Sequence, residues 1–148
     1  MPHRPIREII NRGKLVTASE TTSVAEAARL MTAARVGAIL VLNKGGLAGI
    51  FTERDALTRV LAAGLDPERT PLGRVMTADP DTITPNRPFG EALIMMYDHG
   101  YRHVPVVEDD VPVGIVSMRD TAPPRLEDLE AAIKATAKAA ARKAKAGS

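Results

Sequence analysis

The sequence predicts an α/β (α+β) fold in which two β-α-β-β-α units pack as a pseudo-two-fold pair, with a helical tail behind them. Three observations predict it. Residues 17–55 align without a gap on residues 82–120 at a constant offset of 65, so the chain carries a tandem duplication. Each copy contains, in the same order, a short extended segment, an amphipathic helical stripe, two β-branched runs joined by a polar turn, and a second helix start. The chain is 148 residues long and 45% apolar, enough for a shared core, whereas a unit of about 50 residues is marginal alone.

In the first copy, Leu15 to Ala18 is extended. Ser23 and Glu26 then form a capping-box pattern before a helix from Val24 to Ala34, with Val24, Ala27, Ala28, Leu30 and Met31 toward a core. Ala38 to Leu42 and Leu47 to Thr52 form a hairpin across Asn43-Lys44-Gly45-Gly46. A helix follows from Glu53 to Ala63 and ends at Gly64 and Asp66-Pro67. In the second copy Thr82 to Thr84 is extended, and Pro88 opens a helix from Phe89 to His99 with Leu93, Met95, Met96 and Tyr97 inward. Val104 to Val107 and Val113 to Ser117 form the second hairpin. Pro123-Pro124 stops the next helix almost at once, and a new one starts at Arg125. The expected organisation is a first repeat over 6–65, a linker over 66–73, a second repeat over 74–122 and an Ala/Lys-rich, partly flexible helical tail over 123–148.

Composition narrows the function classes. No apolar run approaches the roughly 18 residues of a membrane span, and the first residues lack the apolar middle of a signal peptide, so a soluble cytoplasmic protein is expected. The absence of cysteine excludes disulfides and thiolate chemistry. Net charge is +2, but Lys134, Lys138, Arg142, Lys143 and Lys145 follow the last acid, Glu130, so residues 1–130 are net −3. The basic character therefore belongs to the tail, and nucleic acid is not the expected partner of the body. The histidines lack metal-ligand spacing, and neither a P-loop nor a nucleophile elbow occurs; no enzyme activity and no metal are expected.

The repeated element with chemical content is GIFTERD, Gly49 to Asp55, which returns as GIVSMRD, Gly114 to Asp120. Thr52 and Ser117 stand where a helix begins, so a hydroxyl, free backbone N–H groups and the helix dipole all favour an anion. Asp55 and Asp120, one turn on, can accept both hydrogen bonds of a cis ribose diol. Arg54 and Arg119 add cations where a phosphate would lie. The glycines let a ligand or a neighbouring backbone come close. The same spacing is also that of a plain capping box, which needs no ligand.

These repeated strand-G-h-x-[ST]-x-x-D-helix motifs, with VMT before the second copy and RHVPVV inside it, resemble a tandem cystathionine-β-synthase (CBS) domain pair of the stand-alone bacterial type. The resemblance covers residues 6 to 122. It implies a non-catalytic regulatory module that binds an adenosine-containing ligand, AMP, ADP, ATP, NAD or S-adenosylmethionine, between the repeats and senses energy or redox state. It further implies a flat homodimeric disc and an effector protein not identified by sequence. Carried onto this chain, it groups Ser117, Arg119 and Asp120 with Lys14, Val16, Val36, Gly37 and Ala38. It groups Thr52, Arg54 and Asp55 with Tyr101, Arg102 and His103. Ile50 and Ile115, directly after the motif glycines, complete the candidate set. The first copy has Gly37 and Ala38 where the second has Arg102 and His103, so the two clefts are unlike and one is less basic. The alternatives are a ligand-free structural or dimerisation adaptor, and nucleic-acid binding through the tail.

Overall fold

The computed structural model describes residues 3–121 and 126–146. Each copy folds around one antiparallel hairpin. In the first, β2 (Ala38–Asn43) pairs with β3 (Gly46–Thr52), and in the second β5 (His103–Glu108) pairs with β6 (Val111–Ser117). The two ladders are equivalent, Ala38 facing Thr52 as His103 faces Ser117, and both shift register at matching points, Val41/Leu42 and Val106/Val107. The turns solve the same geometric problem with different chemistry. Gly46 has φ 109°, whereas Asp109 and Asp110 both take positive φ, the backbone a tight hairpin turn requires.

The first hairpin is extended on both sides. β1 (Thr17–Ser19) joins β2 in parallel and β4 (Thr77–Ala78) joins β3 antiparallel, giving the order β1-β2-β3-β4. The second sheet has two strands, and the expected strand at Thr82 to Thr84 shrinks to a single parallel bridge from Ile83 to Val106.

The leading helices are α1 (Val24–Ala34) and α4 (Phe89–His99). Val24, Ala27 and Met31 of α1 are buried, as are Phe89, Ala92 and Met96 of α4. Ala28, Leu30 and Tyr97, expected inward, face solvent, Tyr97 with 82% of its surface exposed. A small sheet needs only a narrow stripe from each helix to cover it, so the stripe's flanks remain outside. Ser23 caps α1 through a bond from the Glu26 N–H to its Oγ (3.1 Å).

The two cores cross the expected boundaries 6–65 and 74–122. The core of the first copy contains Leu72 and Val75 of α3 (Leu72–Val75), and the core of the second contains Ile6 from the turn Ile6–Glu8. The hydrogen bonds are equivalent: Leu72 N–H donates to Thr22 O and Gly73 N–H to Glu20 O, as Ile6 N–H does to Arg87 O and Arg7 N–H to Pro85 O. Each copy is thus closed by the segment that precedes the other. A smaller cluster of Ala38, Leu40 and Ile50, flanked by Leu15 and Ile115, joins the copies. Gly49 is required by that crossing, since a Cβ there would lie 2.5 Å from Met76 Sδ and 2.7 Å from Thr77 O.

After β3 the chain enters α2, an α-helical turn over Glu53–Asp55 that widens into a π-helical segment over Ala56–Leu61. After β6 the described residues form the turn Met118–Asp120. The stop expected at Pro123-Pro124 and the helix start at Arg125 lie outside the described residues. The tail helix is α5 (Leu126–Ala146), exposed throughout from Leu129 on.

Candidate functional site

The repeated motifs both form full capping boxes. Thr52 Oγ accepts from the Asp55 N–H (3.2 Å) while Asp55 Oδ2 accepts from the Thr52 N–H (3.0 Å). Asp120 Oδ2 likewise accepts from the Ser117 N–H (2.7 Å), and Ser117 Oγ accepts from the Arg119 N–H (3.2 Å). Local folding therefore engages one oxygen of each carboxylate, and the surroundings decide what the other does.

At Asp55 the other oxygen faces a cation of its own helix, Arg59 Nε at 3.5 Å. Arg54 donates to Gly100 O (3.3 Å), and the Tyr101 hydroxyl donates to Asp81 (2.8 Å). Burial and that hydrogen bond push the Tyr101 phenol up to about 12. The groups around Thr52 and Asp55 thus satisfy one another.

At Asp120 the arrangement differs. The position matching Arg59 is Pro124, which carries no charge, and Asp120 forms no ion pair among the described residues. It lines an open cavity of about 420 Å³ between the copies, into which four cations, Lys14, Arg35, Arg102 and Arg119, converge. None of the four has a side-chain hydrogen bond or ion pair among the described residues, although Arg7, Arg29, Arg59 and Arg87 all do. Apolar side chains of Ile10, Leu15, Val36, Ala38 and Ile115 also line it. His103 also lines the cavity; burial lowers its pKa, Glu53 and Asp120 pull it back up, and Arg119 and Arg102 oppose them. Glu53 and His103 meet at Gly37, where a Cβ would be 3.2 Å from Glu53 Oε1 and 3.3 Å from His103 Nε2.

The cavity brings together Lys14, Val36, Gly37, Ala38, Arg102, His103, Ile115, Ser117, Arg119 and Asp120 of the candidate set. It does not include Thr52, Arg54, Asp55 or Tyr101. Val16 packs against the first core, and Ile50 lies in the cluster between the copies. One correction follows. Arg102 and His103 stand beside Ser117, not beside Thr52, because β5 pairs with β6 and puts His103 opposite Ser117. Of the two clefts, the less basic one is therefore that of Thr52.

Arg35 and Glu53 were not among the candidates. Arg35 had a signal in the repeat, since it aligns with Gly100, and both residues close their helices with positive φ, 57° and 78°. An arginine where the sister copy uses glycine holds a strained backbone conformation, and such strain concentrates at functional sites. Glu53 aligns with Met118, a mismatch without meaning until the fold brings it to the cavity.

The CBS domain family profile matches residues 6–62 and 72–121. The chain belongs to the CBS domain family. This CBS pair is 42% identical over 98 residues to the meiotically up-regulated gene 70 protein of Schizosaccharomyces pombe, covering 66% of this chain and 13% of that protein. It is 37% identical to the CBS domain-containing protein YhcV of Bacillus subtilis, covering 74% of this chain and 77% of YhcV. Among solved structures, a conserved protein from Pyrococcus horikoshii superposes with a TM-score of 0.74 at 36% identity, covering 82% of this chain and 91% of that one. A CBS domain protein from Pyrobaculum aerophilum, solved in complex with AMP, superposes with a TM-score of 0.73 at 28% identity, covering 88% and 99%.

Proposed function

We propose that this CBS pair is a regulatory, non-catalytic module that binds one adenosine phosphate per chain in the cavity at Ser117 and Asp120. The observation that carries the reading is the convergence there of four cations, unpaired among the described residues, beside the Asp120 carboxylate and apolar side chains. Phosphate would be held by Arg102, Arg119, Arg35 and the Ser117 turn, the ribose diol by Asp120, and adenine against Ile10, Leu15 and Ile115. The relative solved with AMP supports the ligand class.

The sister cleft is the weaker candidate on charge. Lys14, Arg35 and Arg102 correspond there to Asp79, Gly100 and Gly37, leaving Arg54 as the matching cation. The homodimer is part of the proposal: Leu57 and Leu61 on α2 and Ile94 and Tyr97 on α4 are exposed apolar residues of the kind a helical interface covers. A cytoplasmic sensor acting on an effector protein is the role proposed for it. No helix among the described residues is long and apolar enough to cross a membrane. For such a sensor the ligand must favour one arrangement of the copies over another.

Titration calorimetry with AMP, ADP, ATP, NAD and S-adenosylmethionine tests this. One site per chain is expected, with Asp120→Asn weakening it and Asp55→Asn leaving it intact. A ligand present at a hundredfold excess over Kd adds about 2.7 kcal/mol of stability. Binding that survives Asp120→Asn and fails in Asp55→Asn would reverse the assignment, and no binding by any of the five would leave a structural adaptor.

A further inference from the structure

The tail helix α5 takes no part in the cavity, and its charges follow a pattern of their own. Every residue from Leu129 to Ala146 is exposed. No acid follows Glu130, whereas five cations do, Lys134, Lys138, Arg142, Lys143 and Lys145. At about 100° of rotation per residue, Lys134, Lys138, Arg142 and Lys145 fall within an arc of about 80°, with Lys143 on the far side. At about 1.5 Å of rise per residue, that row is about 16 Å long. Lys134, Lys138 and Arg142 make no hydrogen bond or ion pair through their side chains among the described residues. Like charges four residues apart destabilise a helix, so the row stands against its own repulsion, and a polyanion laid along it removes that cost.

The residues around the row decide among polyanions. A helix that lies on an anionic membrane sinks large apolar side chains behind its cations. Here every uncharged position from 134 to 146 is alanine except Thr136, and the exposed Leu129 and Ile133 come before the row. Single-stranded nucleic acid is held by stacking its bases on aromatic rings, and residues 126–148 contain none. A duplex asks only for cations on a slender support. A helix about 10 Å across fits against a major groove about 12 Å wide, where the row reaches the phosphates along one edge. Lysines hold phosphate as point charges and read no bases.

We propose that α5 binds the phosphate backbone of duplex DNA without sequence preference, through Lys134, Lys138, Arg142 and Lys145, and so tethers the CBS pair to nucleic acid. None of these residues lines the cavity, and the inference stands apart from the adenosine reading.

Fluorescence anisotropy of a short labelled DNA duplex, titrated with the full chain between about 50 and 200 mM salt, tests it. Four phosphate contacts give log K against log salt a slope of about −3.6, so affinity falls on the order of 10²-fold over that range. Lys138→Ala combined with Arg142→Ala keeps the helix, since alanine is its best former, and halves the slope to about −1.8. Lys143→Ala, on the far side, leaves the slope near that of the unaltered chain, and a duplex of shuffled sequence binds equally well. No binding at about 50 mM salt, a slope indifferent to the double substitution, or an equal loss from Lys143→Ala overturns the proposal. So does tighter binding to a single strand, or to vesicles containing phosphatidylserine, than to the duplex.

Discussion

Replacing Arg35 by glycine separates ligand binding from folding in a way few substitutions at a binding site can. Arg35 ends α1 with φ 57° and ψ 44°, and its N–H bonds to Met31 O and Thr32 O do not depend on the side chain. A non-glycine residue in this region costs about 1–2 kcal/mol, which glycine relieves. Glycine's freer unfolded chain returns about 0.5–1 kcal/mol of that gain. The side chain makes no hydrogen bond or ion pair among the described residues that would be lost. Arg35→Gly is therefore neutral to stabilising by up to about 1.5 kcal/mol, at most about 3–6 °C in Tm for a chain of this size. A charged hydrogen bond to phosphate contributes about 1.5 kcal/mol at the lower end, so AMP binding weakens roughly tenfold. Urea unfolding without ligand measures the first quantity and calorimetry with AMP the second. Arg35→Lys is the control, keeping strain and charge together. If Arg35→Gly destabilises the fold by more than about 1 kcal/mol, the strain argument is wrong. If it leaves AMP affinity unchanged, Arg35 is not a ligand residue.

Two further outcomes follow from the geometry. Gly49→Ala places a Cβ 2.7 Å from a backbone oxygen that cannot swing aside, Thr77 O where β4 crosses β3, and is expected to cost about 1–3 kcal/mol in denaturant unfolding with no direct effect on the ligand cavity. His103 is held neutral by burial, so its contribution to stability is complete above the unfolded value near 6.5 and is lost as pH falls through the lower folded pKa. A phosphate bound beside His103 favours its charged form, so AMP binding is coupled to proton uptake at His103, a contribution that His103→Gln removes. Calorimetry in buffers of different ionisation enthalpy detects the proton.

How much of this was legible in the sequence depends on what the repeat repeats. The hairpins, the caps at Thr52 and Ser117 and the helix stripes are local, recur at the same offset, and could be read twice. The exchange of closing segments could not, because Ile6 and Leu72 are single apolar residues in short turns, with no periodicity to say which core they enter. The cavity lining was legible at the motif residues Ser117, Arg119 and Asp120, and through the family resemblance at Lys14, Val36, Gly37 and Ala38. It was misassigned at Arg102 and His103, where strand pairing overrides analogy between the copies. Glu53 was invisible because its role depends on Gly37 leaving room for it beside His103.

The duplication explains why the charged groups pair with one another at Asp55 and not, among the described residues, at Asp120. In the first copy the helix after the motif continues, so Arg59 comes round one turn later and engages Asp55. In the second copy the sequence places proline at the matching position, and Asp120 has no ion pair among the described residues. The same divergence set arginine in place of glycine at the end of α1, opposite Gly100, and put Lys14 where the second copy has Asp79. Each change is small on a surface, where a lone charge contributes little. Gathered by the pseudo-two-fold packing onto one crevice, they concentrate positive charge at Asp120 and remove it from Asp55. A duplicated scaffold starts with two equal clefts, and the residues that differ between the copies make them unequal by adding cations to one and leaving the other to pair its own charges.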